Sequence, residues 1–266
     1  MAIAAPARIL FGMKSDWLAG LKRSSDPGRH SVFMADLATS DLRAFDAIVP
    51  LTLADQRELD QPGQTWPALI VPAKIRSLCH DKLSLNRTLI DLGFGDFVPT
   101  VLEALPQDLA AQPVVVKPRR GQWGQNTVIL DAGPTDEALS MLSSGTHFAQ
   151  RLVPGRLECA THVLMHRGEA RFFQTIEYDM GAERLVKGKL HVPFSGRWLT
   201  ETPAQAELLA MLQKLGLSDG LCCIDYRMVD GKPLVFEINP RFGGSLARKV
   251  AGFLDTYLAC VTTQIA

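Results

Sequence analysis

The sequence has no excess of charge of either sign, because its 266 residues include 28 Lys and Arg and 28 Asp and Glu. This balance argues against binding of nucleic acid or of an anionic membrane surface by bulk electrostatic attraction. No run of apolar residues is long enough to cross a bilayer. The N-terminal segment lacks a basic start and Arg8 interrupts its apolar run, so we expect no signal peptide.

The sequence also lacks the patterns of several common sites. Its five cysteines are odd in number and include no Cys-x-x-Cys, which predicts reduced thiols in a cytoplasmic protein rather than disulfides or a zinc site. There is no Gly-x-Gly-x-x-Gly after the first predicted strand and no P-loop pattern, which argues against a dinucleotide domain and a P-loop enzyme. His162 and His166 form the one close histidine pair of the sequence, and we expect them to be structural.

The stretch from Gly220 to Ser245 predicts a β-hairpin. Leu221 to Val229 and Pro233 to Asn239 are rich in β-branched and aromatic residues, and the Asp-Gly pair between them is typical of a tight turn. Side chains alternate between the two faces of a strand, so the length of the turn decides which residues of the two strands meet.

A two-residue loop in this hairpin would pair Asp225 with Phe236. A three-residue loop that ends at Lys232 would instead pair Asp225 with Glu237 on one face. We predict the three-residue loop, because only this loop separates an apolar face from a polar face. The apolar face of the second strand would then consist of Leu234, Phe236 and Ile238.

The polar face of this hairpin carries a candidate cation site. Two neighbouring carboxylates repel each other unless a cation or a base lies between them. Asp225 and Glu237, together with the amide oxygen of Asn239, are therefore candidate ligands of Mg²⁺, which binds few protein oxygens and completes its shell with substrate phosphates. The alternative is a surface hairpin with solvated acids.

A second predicted hairpin has a basic tip. The apolar strand Val114 to Val116 runs into Lys117 and Pro118, and a second strand is predicted over Thr127 to Leu130. The loop between these strands contains Arg119, Arg120, Gly121 and Gly124. Backbone N–H groups freed by glycine, with cations beside them, can hold phosphate oxygens. An ordinary exposed turn is the alternative.

The rest of the pattern predicts an α/β protein with α+β character in its second half. Strand and helix alternate over residues 1–75, which favours a small parallel sheet with strands at 7–12, 31–34, 47–51 and 68–71. Later strands without intervening helices, at 147–153, 157–165 and 170–178, favour an antiparallel sheet. Predicted helices include 79–92 with Asp81 as a cap, one opened by a capping box at Thr202 and ended by Gly216, and a last helix over 246–259.

The segment from Gly181 to Lys189 has glycine, lysine and no periodicity, which is typical of a cover loop over a site. Arg184, Lys187 and Lys189 are candidate phosphate contacts in it, with solvated charge as the alternative.

Four features occur in the order found in the ATP-grasp family of ADP-forming ligases, and residues 75–260 resemble that family. They are Asp81 and Lys82 at a helix start, VVVKP before the basic glycine loop, QRLVPGRLE, and CIDYRM followed by VFEINPRFGGS. The last run is the most specific and is similar to the ends of the carbamoyl-phosphate-synthetase-like and peptide-ligase-like branches. The loop GQWGQN departs from the family, since it has few glycines and carries Trp123.

The resemblance implies a role for each matched residue. Lys82 and Lys117 resemble the two lysines that hold ATP phosphates, with Gly121 and Gly124 in the phosphate loop. The adenine hinge corresponds to Gln150, Arg151, Leu152 and Val153, with Gln150 where an acid is common, and Glu158 resembles the acid that binds the ribose. Asp225, Glu237 and Asn239 resemble the magnesium ligands, and Mn²⁺ is an alternative metal. Arg241 resembles the arginine that stabilises the transition state, with Gly243, Gly244 and Ser245 near the substrate.

The resemblance therefore implies an ATP-grasp fold with a short N-terminal α/β domain. We expect this domain at residues 1–75, a small lobe with the phosphate-binding hairpin at 76–146, and a lobe with the hinge and metal site at 147–266. The implied activity couples a small-molecule carboxylate to an amine through an acyl phosphate and releases ADP and phosphate. A phosphotransferase on the same scaffold and a non-catalytic nucleotide-binding protein are the alternatives. We expect a cytoplasmic protein without nucleic-acid or membrane partners, and a homodimer is compatible with the sequence.

Overall fold

The computed structural model describes residues 5–121, 124–186 and 195–265 of the chain. Its helices are α1 (Ser15–Ser24), α2 (Leu53–Leu59), α3 (Ala73–His80), α4 (Lys82–Leu89), α5 (Asp136–Ser143), α6 (Gln205–Leu215) and α7 (Ala251–Ile265). Its strands are β1 (Ala7–Phe11), β2 (His30–Met34), β3 (Ala47–Val49), β4 (Val101–Leu102), β5 (Val114–Pro118), β6 (Val128–Leu130), β7 (His147–Arg151), β8 (Leu157–His166), β9 (Glu169–Asp179), β10 (Ser195–Trp198), β11 (Gly220–Val229) and β12 (Lys232–Asn239). Among the described helices, none has both the length and the apolar character needed to span a membrane.

The described strands form three sheets, which confirms the α/β class with antiparallel sheets in the later part of the chain. The first sheet is parallel and has the order β2-β1-β3. The second is antiparallel, has the order β4-β7-β5-β6 and contains the basic hairpin. The third is antiparallel, has the order β10-β9-β8-β11-β12 and contains the acidic hairpin at one edge.

The strand expected over residues 68–71 is wrong, because this segment is not a strand of the first sheet. Its N–H groups bond to side chains instead. The Leu69 N–H donates to the Tyr257 hydroxyl at 2.8 Å, and the Val71 N–H donates to Oε1 of Gln56 at 3.0 Å. The apolar sequence of the segment predicted its burial, but the polar groups that satisfy its backbone come from distant parts of the chain.

The C-terminal helix α7 packs into the core of the first sheet. Phe253 and Tyr257 are buried in the same cluster as Phe11 and Val49. The Tyr257 hydroxyl also donates to the Ile48 carbonyl at 2.7 Å, so this one side chain joins α7 to β3 and to the segment after it. The first sheet therefore shares its core with the last residues of the chain, and the expected division into three segments stays a prediction.

The single helix expected over residues 79–92 is instead two helices that meet at Asp81. Helix α3 ends at His80, and Asp81 caps α4 by accepting a hydrogen bond from the Ser84 N–H at 3.1 Å, as expected. Gly93, with a φ of 90°, interrupts the helical backbone within the irregular turn that follows, Ile90–Phe94. Helices α3, α4 and α6 bury their apolar sides against the third sheet, and this places the first residue of α4 beside the acidic hairpin.

The β11–β12 hairpin pairs Asp225 with Glu237, as expected, but the predicted three-residue loop is wrong. The turn has two residues, Asp230 and Gly231, whose φ angles of 49° and 77° are typical of a type I′ turn. The register shifts next to Asp225 instead, where Phe236 is the extra residue of a β-bulge.

This bulge also changes which residues of β12 face the core. Val235 and Ile238 are buried in the core of the third sheet, whereas Phe236 lines a cavity together with Glu237. The expectation of an apolar face that includes Leu234 and Phe236 is therefore wrong. A bulge turns two consecutive residues to one side of a strand, and strict alternation cannot predict this.

Two expected helix starts are also wrong. The capping box at Thr202 does not form, because α6 begins after Ala204, whose φ is 53°, and the Thr202 hydroxyl bonds to that of Thr175 at 2.8 Å. Helix α6 ends at Gly216, which has a φ of 82°, as expected. The last helix begins later than expected, at Ala251, after a short 3₁₀ turn.

Candidate active site

A cavity of about 620 Å³ lies between the second and third sheets and is bounded on one side by α1. Every residue to which the family resemblance gave a role in binding the nucleotide, the metal or the substrate lines this cavity. They are Lys82, Lys117, Gly121, Gly124, Gln150, Arg151, Leu152, Val153, Glu158, Asp225, Glu237, Asn239, Arg241, Gly243, Gly244 and Ser245. The fold therefore collects residues from five separate stretches of the chain around one space, while their individual roles stay predictions.

The two lysines enter the cavity from different elements. Lys117 ends the apolar run of β5, and its Nζ donates to the carbonyl of the bulged Phe236 at 3.3 Å. The Nζ of Lys82, in the first turn of α4, donates to the Gly121 carbonyl at 2.7 Å and lies 3.4 Å from Oε2 of Glu237. Burial lowers the pKa of Lys117 to about 8, with Lys82 adding to this effect, while Glu237 and Glu158 oppose it. Two cations and the cation site thus lie within reach of one another.

The phosphate loop is attached to the start of α4. The Arg119 guanidinium makes a two-pronged contact with Asp81, with Nη2 to Oδ2 at 2.7 Å and Nε to Oδ1 at 3.2 Å. The Lys82 N–H donates to the Arg119 carbonyl at 2.8 Å. Burial raises the pKa of Asp81, but bonds from Arg119 and Ser84 outweigh this and hold that pKa below its usual value. Arg119 thus positions the loop, whereas the sequence had suggested it as a cation for phosphate.

The hinge segment begins with a buried amide. Nε2 of Gln150 donates to Oδ1 of Asn86 at 3.0 Å and to the Pro99 carbonyl at 2.9 Å, so both of its N–H donors are used within the protein. The Leu152 N–H donates to the Pro113 carbonyl at 2.9 Å. These bonds hold the hinge against α4 and the second sheet.

Glu158, the predicted ribose acid, is buried at the start of β8 beside Arg227. Nη2 of Arg227 lies 3.6 Å from Oε2 of Glu158, and both side chains are less than one tenth exposed. Burial lowers the pKa of Arg227, and the charge and hydrogen bond of Glu158 oppose that shift. The two groups form a buried ion pair in the wall of the cavity.

The predicted cation ligands meet at the bulge of the acidic hairpin. The amide nitrogen of Asn239 donates to Oε1 of Glu237 at 2.8 Å and to Oδ2 of Asp225 at 3.1 Å. Rotation of this amide by half a turn would place its oxygen beside the same two carboxylates. Within the described ranges, no three His, Cys, Asp or Glu side chains group as a metal site. Two carboxylates and one amide oxygen fit Mg²⁺, which needs few protein ligands.

The Gly243–Ser245 segment forms the floor of the other end of the cavity, and close contacts explain its glycines. A Cβ on Gly243 would lie 2.4 Å from Cε1 of His162, and a Cβ on Gly244 would lie 2.9 Å from Cζ2 of Trp17. The Ser245 hydroxyl is hydrogen-bonded to Nε2 of His162 at 2.8 Å. Arg241 lines the cavity just before this segment and donates to the Phe242 carbonyl at 3.1 Å.

Several side chains at this site received no functional role from the sequence, among them Arg227, His162, Trp17 and Trp198. Strand alternation places Arg227 on the face of Asp225, so its position was readable although its partners were not. His162 was expected to be structural, and it packs beneath the floor of the cavity, with its ring 6.2 Å from that of Trp198. Trp17 lies on α1, which no motif linked to the site.

The predicted cover loop is described only in part. Arg184 is paired with Asp131, with Nη1 and Oδ2 3.3 Å apart, at an exposed position away from the cavity. Lys187 and Lys189 lie outside the described residues, as does Trp123. Leu185 and Val186 line the cavity.

The sequence matches the ATP-grasp domain family over residues 79–245, which is more than half of the chain. The chain therefore belongs to the ATP-grasp family, and this confirms the resemblance drawn from its motifs. A comparison with curated protein sequences found no significant match.

Solved structures of similar fold include three ligases. D-alanine–D-alanine ligase from Bacillus anthracis is 18% identical with a TM-score of 0.62, and 98% of each chain is covered. VanG D-Ala:D-Ser ligase from Enterococcus faecalis is 14% identical with a TM-score of 0.62, covering 98% of this chain and 100% of the ligase. L-amino acid ligase from Bacillus licheniformis is 16% identical with a TM-score of 0.58, covering 92% of this chain and 69% of the ligase. These similarities extend the ATP-grasp fold to nearly the whole chain, including the first sheet.

Proposed function

We propose that this protein is an ATP-dependent ligase that activates a carboxylate as an acyl phosphate and couples it to an amine, with release of ADP and phosphate. The observation that carries this proposal is the single cavity that joins two lysines, a paired set of cation ligands and an arginine beside a glycine floor. The three similar structures named above are of ligases for amino acids, which supports an amide-type or peptide-type product.

In this proposal Lys82 and Lys117 bind the phosphates of ATP, with Gly121 and Gly124 in the loop above them. The adenine lies against the hinge of residues 150–153, and Glu158 binds the ribose. The contacts described above support this placement of phosphates, ribose and adenine. The two lysines lie near Glu237 of the acidic hairpin, whereas Glu158 lies beside Arg227 of the same hairpin. Phosphoryl transfer needs positioning and charge neutralisation more than covalent help from the protein.

Asp225, Glu237 and the amide oxygen of Asn239 would hold Mg²⁺, or Mn²⁺ in its place. When bound, the metal ion neutralises phosphate charge and orients the transferred group. The free protein keeps the two carboxylates together through the Asn239 amide and the nearby Lys82 ammonium. A metal ion would bind between these carboxylates once rotation of the Asn239 amide had turned its oxygen towards them.

The chemistry follows in two steps. A carboxylate oxygen attacks the γ-phosphorus of ATP, the bond from that phosphorus to the bridging oxygen breaks, and ADP leaves. The amine nitrogen then attacks the acyl carbon, loses a proton, and displaces phosphate to form the amide. Arg241, just before the glycine floor, stabilises the negative charge that develops near the acyl phosphate.

Release of ADP tests this proposal. The full chain is incubated with ATP, Mg²⁺ and a panel of carboxylic acids crossed with amines, including amino acids as both partners. We expect ADP release that requires one acid and one amine together, with an amide product of matching mass. ADP release with an acid alone, together with a stable phosphorylated product, would instead favour a phosphotransferase. A cytoplasmic location and a homodimer stay predictions.

A further inference from the structure

Arg227 is a buried cation at the nucleotide end of the cavity, and none of the roles proposed above uses it. It lies on β11 two residues after Asp225, so the two side chains project from the same face of the strand. Its side chain is 3% exposed. Burial of a guanidinium costs free energy unless hydrogen-bond acceptors surround it. The acceptors around Arg227 therefore indicate which segments this side chain positions.

Three of these acceptors are backbone carbonyls from two segments that border the nucleotide. Nη1 donates to the Val153 carbonyl at 2.7 Å and to the Glu183 carbonyl at 3.2 Å, and Nη2 donates to the Leu185 carbonyl at 3.2 Å. Val153 ends the adenine hinge, whereas Glu183 and Leu185 belong to the start of the cover segment. One planar group thus fixes the hinge and the cover segment relative to each other.

The predicted ribose acid, Glu158, forms an ion pair with the same guanidinium. Nη2 of Arg227 lies 3.6 Å from Oε2 of Glu158, whose side chain is 7% exposed. The ring of Phe236 lies under the guanidinium, with its centroid 5.7 Å from Cζ. The carbonyls and the ring together fix the plane of the guanidinium beside the Glu158 carboxylate.

We propose that Arg227 is a positioning residue for the nucleotide. It holds Glu158 in the orientation that binds the ribose hydroxyl groups, and it holds the hinge and the cover segment together around the adenosine. This role rests on the proposed ATP-dependent function, but it concerns nucleotide binding alone. It can therefore be tested without knowledge of the carboxylate or the amine.

The substitution Arg227→Lys separates this role from a simple charge requirement. Lysine keeps the positive charge beside Glu158, so the buried carboxylate is not left without a cation. Its ammonium is a point charge on a flexible stem. It cannot contact three carbonyls and a carboxylate at once in the planar arrangement that a guanidinium allows. The variant therefore loses the fixed geometry and keeps the charge.

The experiment measures the dissociation constants of the magnesium complexes of ATP, 2′-deoxy-ATP and 3′-deoxy-ATP by titration calorimetry on the full chain. In the unaltered protein, loss of the hydroxyl that Glu158 binds should weaken affinity about tenfold, as expected for a hydrogen bond to a charged group. In Arg227→Lys this discrimination should fall to about twofold or less, because Glu158 is no longer held. Glu158→Gln should show the same loss of discrimination.

Arg171→Lys is the matched control, since Arg171 is 43% exposed and pairs with Glu169 on the surface. It should discriminate among the three nucleotides as the unaltered protein does. Equal weakening of all three nucleotides in Arg227→Lys, with the discrimination intact, would overturn the positioning role. Absence of any discrimination in the unaltered protein would overturn it as well.

Thermal unfolding and circular dichroism of each variant accompany these titrations. If Arg227→Lys does not fold, Arg227→Gln is titrated with the same nucleotides and judged by the same outcomes. Failure of both variants to fold would assign Arg227 to the stability of the sheet and overturn the proposal. Failure of the ligase function itself would appear separately, as the absence of amine-dependent ADP release from a protein that still binds ATP.

Discussion

At the scale of single residues, Lys117 has the property that is most open to measurement. Its ammonium group is close to Lys82 and to the carbonyl of a bulged residue, and burial lowers its pKa to about 8. The phosphates of ATP favour the charged form of the lysine, so nucleotide binding and protonation of Lys117 should be coupled.

The affinity for ATP with Mg²⁺ should therefore fall as the pH rises through about 8. Below that pH the lysine is charged in the free protein, and above it binding requires uptake of a proton, so affinity drops by up to about tenfold per pH unit. Lys117→Arg should remove this dependence, because arginine stays charged throughout. Calorimetric titrations between about pH 7.5 and 9.5 test this. The same slope in both proteins would show that another group titrates.

Glu237 is the second residue with a sharp prediction, since it faces both Asp225 and Lys82. Glu237→Gln keeps the shape of the side chain and removes one negative charge from the cation site. We expect the rate of ADP release to fall by about 100-fold or more, and the Mg²⁺ concentration needed for half-maximal activity to rise. Glu103→Gln, at a side chain that is 88% exposed, is the control and should leave both unchanged. Unchanged activity in Glu237→Gln would remove this residue from the metal site.

At the scale of elements, the acidic hairpin and the glycine floor show two different constraints. In the hairpin, the Asp-Gly pair was recognisable as a turn, but a loop of three residues was predicted and the loop has two. The one-residue difference is made up at Phe236, where the bulge turns the carbonyl towards Lys117. The expected pairing of Asp225 with Glu237 is therefore correct, although the reason given for it was not.

The glycine floor should not tolerate a side chain at Gly243. A methyl group there meets the buried ring of His162 and the sulfur of Cys223 at 2.4 Å and 2.9 Å, so Gly243→Ala should destabilise the protein by about 1–3 kcal/mol and lower activity. Gly252→Ala is the matched control, because a Cβ at that helical position has no neighbour within 4 Å. The control should stabilise the protein by about 0.5–1 kcal/mol with normal activity. Urea unfolding measures the stability of both variants. Equal stabilities would contradict the close contact of a side chain at Gly243 with His162 and Cys223.

At the scale of the whole molecule, the two ends of the chain share one core. Helix α7 packs against the first sheet. The Tyr257 hydroxyl donates a hydrogen bond to the Ile48 carbonyl and accepts one from the Leu69 N–H. The floor of the cavity lies just before this helix in the sequence, and α1 contacts it through Trp17. The glycine floor of the cavity is therefore flanked by residues that belong to the core of the first sheet.

Tyr257→Phe tests whether the hydrogen bonds of α7 sustain this shared core. The variant leaves a buried carbonyl and a buried N–H without a partner, which should lower the free energy of unfolding by about 2–4 kcal/mol. Thr262→Ala, at an exposed position on the same helix, should change it by less than about 0.5 kcal/mol. Urea unfolding followed by both fluorescence and circular dichroism gives the values. If the Tyr257→Phe value were within that same small range, the two hydrogen bonds would not be sustaining the shared core.

The sequence by itself determined the order of the motifs, and with it the family and the residues that line the cavity. This was possible because short-range patterns are local. An apolar run before Lys117, an Asp-Gly turn, and an acid and an amide spaced by two on one strand can all be recognised without knowledge of the fold. The same reasoning failed for residues 68–71 and at Phe236. The backbone partners of residues 69 and 71 are side chains from other elements, Tyr257 and Gln56, and at Phe236 a bulge interrupts the alternation that the prediction assumed.

Only the tertiary structure decided how the side chains of the site are held. It brought Arg119 to Asp81, both amide donors of Gln150 to Asn86 and Pro99, and Arg227 to Glu158. These partners are tens of residues apart and no periodicity connects them. Burial of a charged or polar group makes its partner obligatory, but which group serves as that partner is set by the packing of the sheets around the cavity.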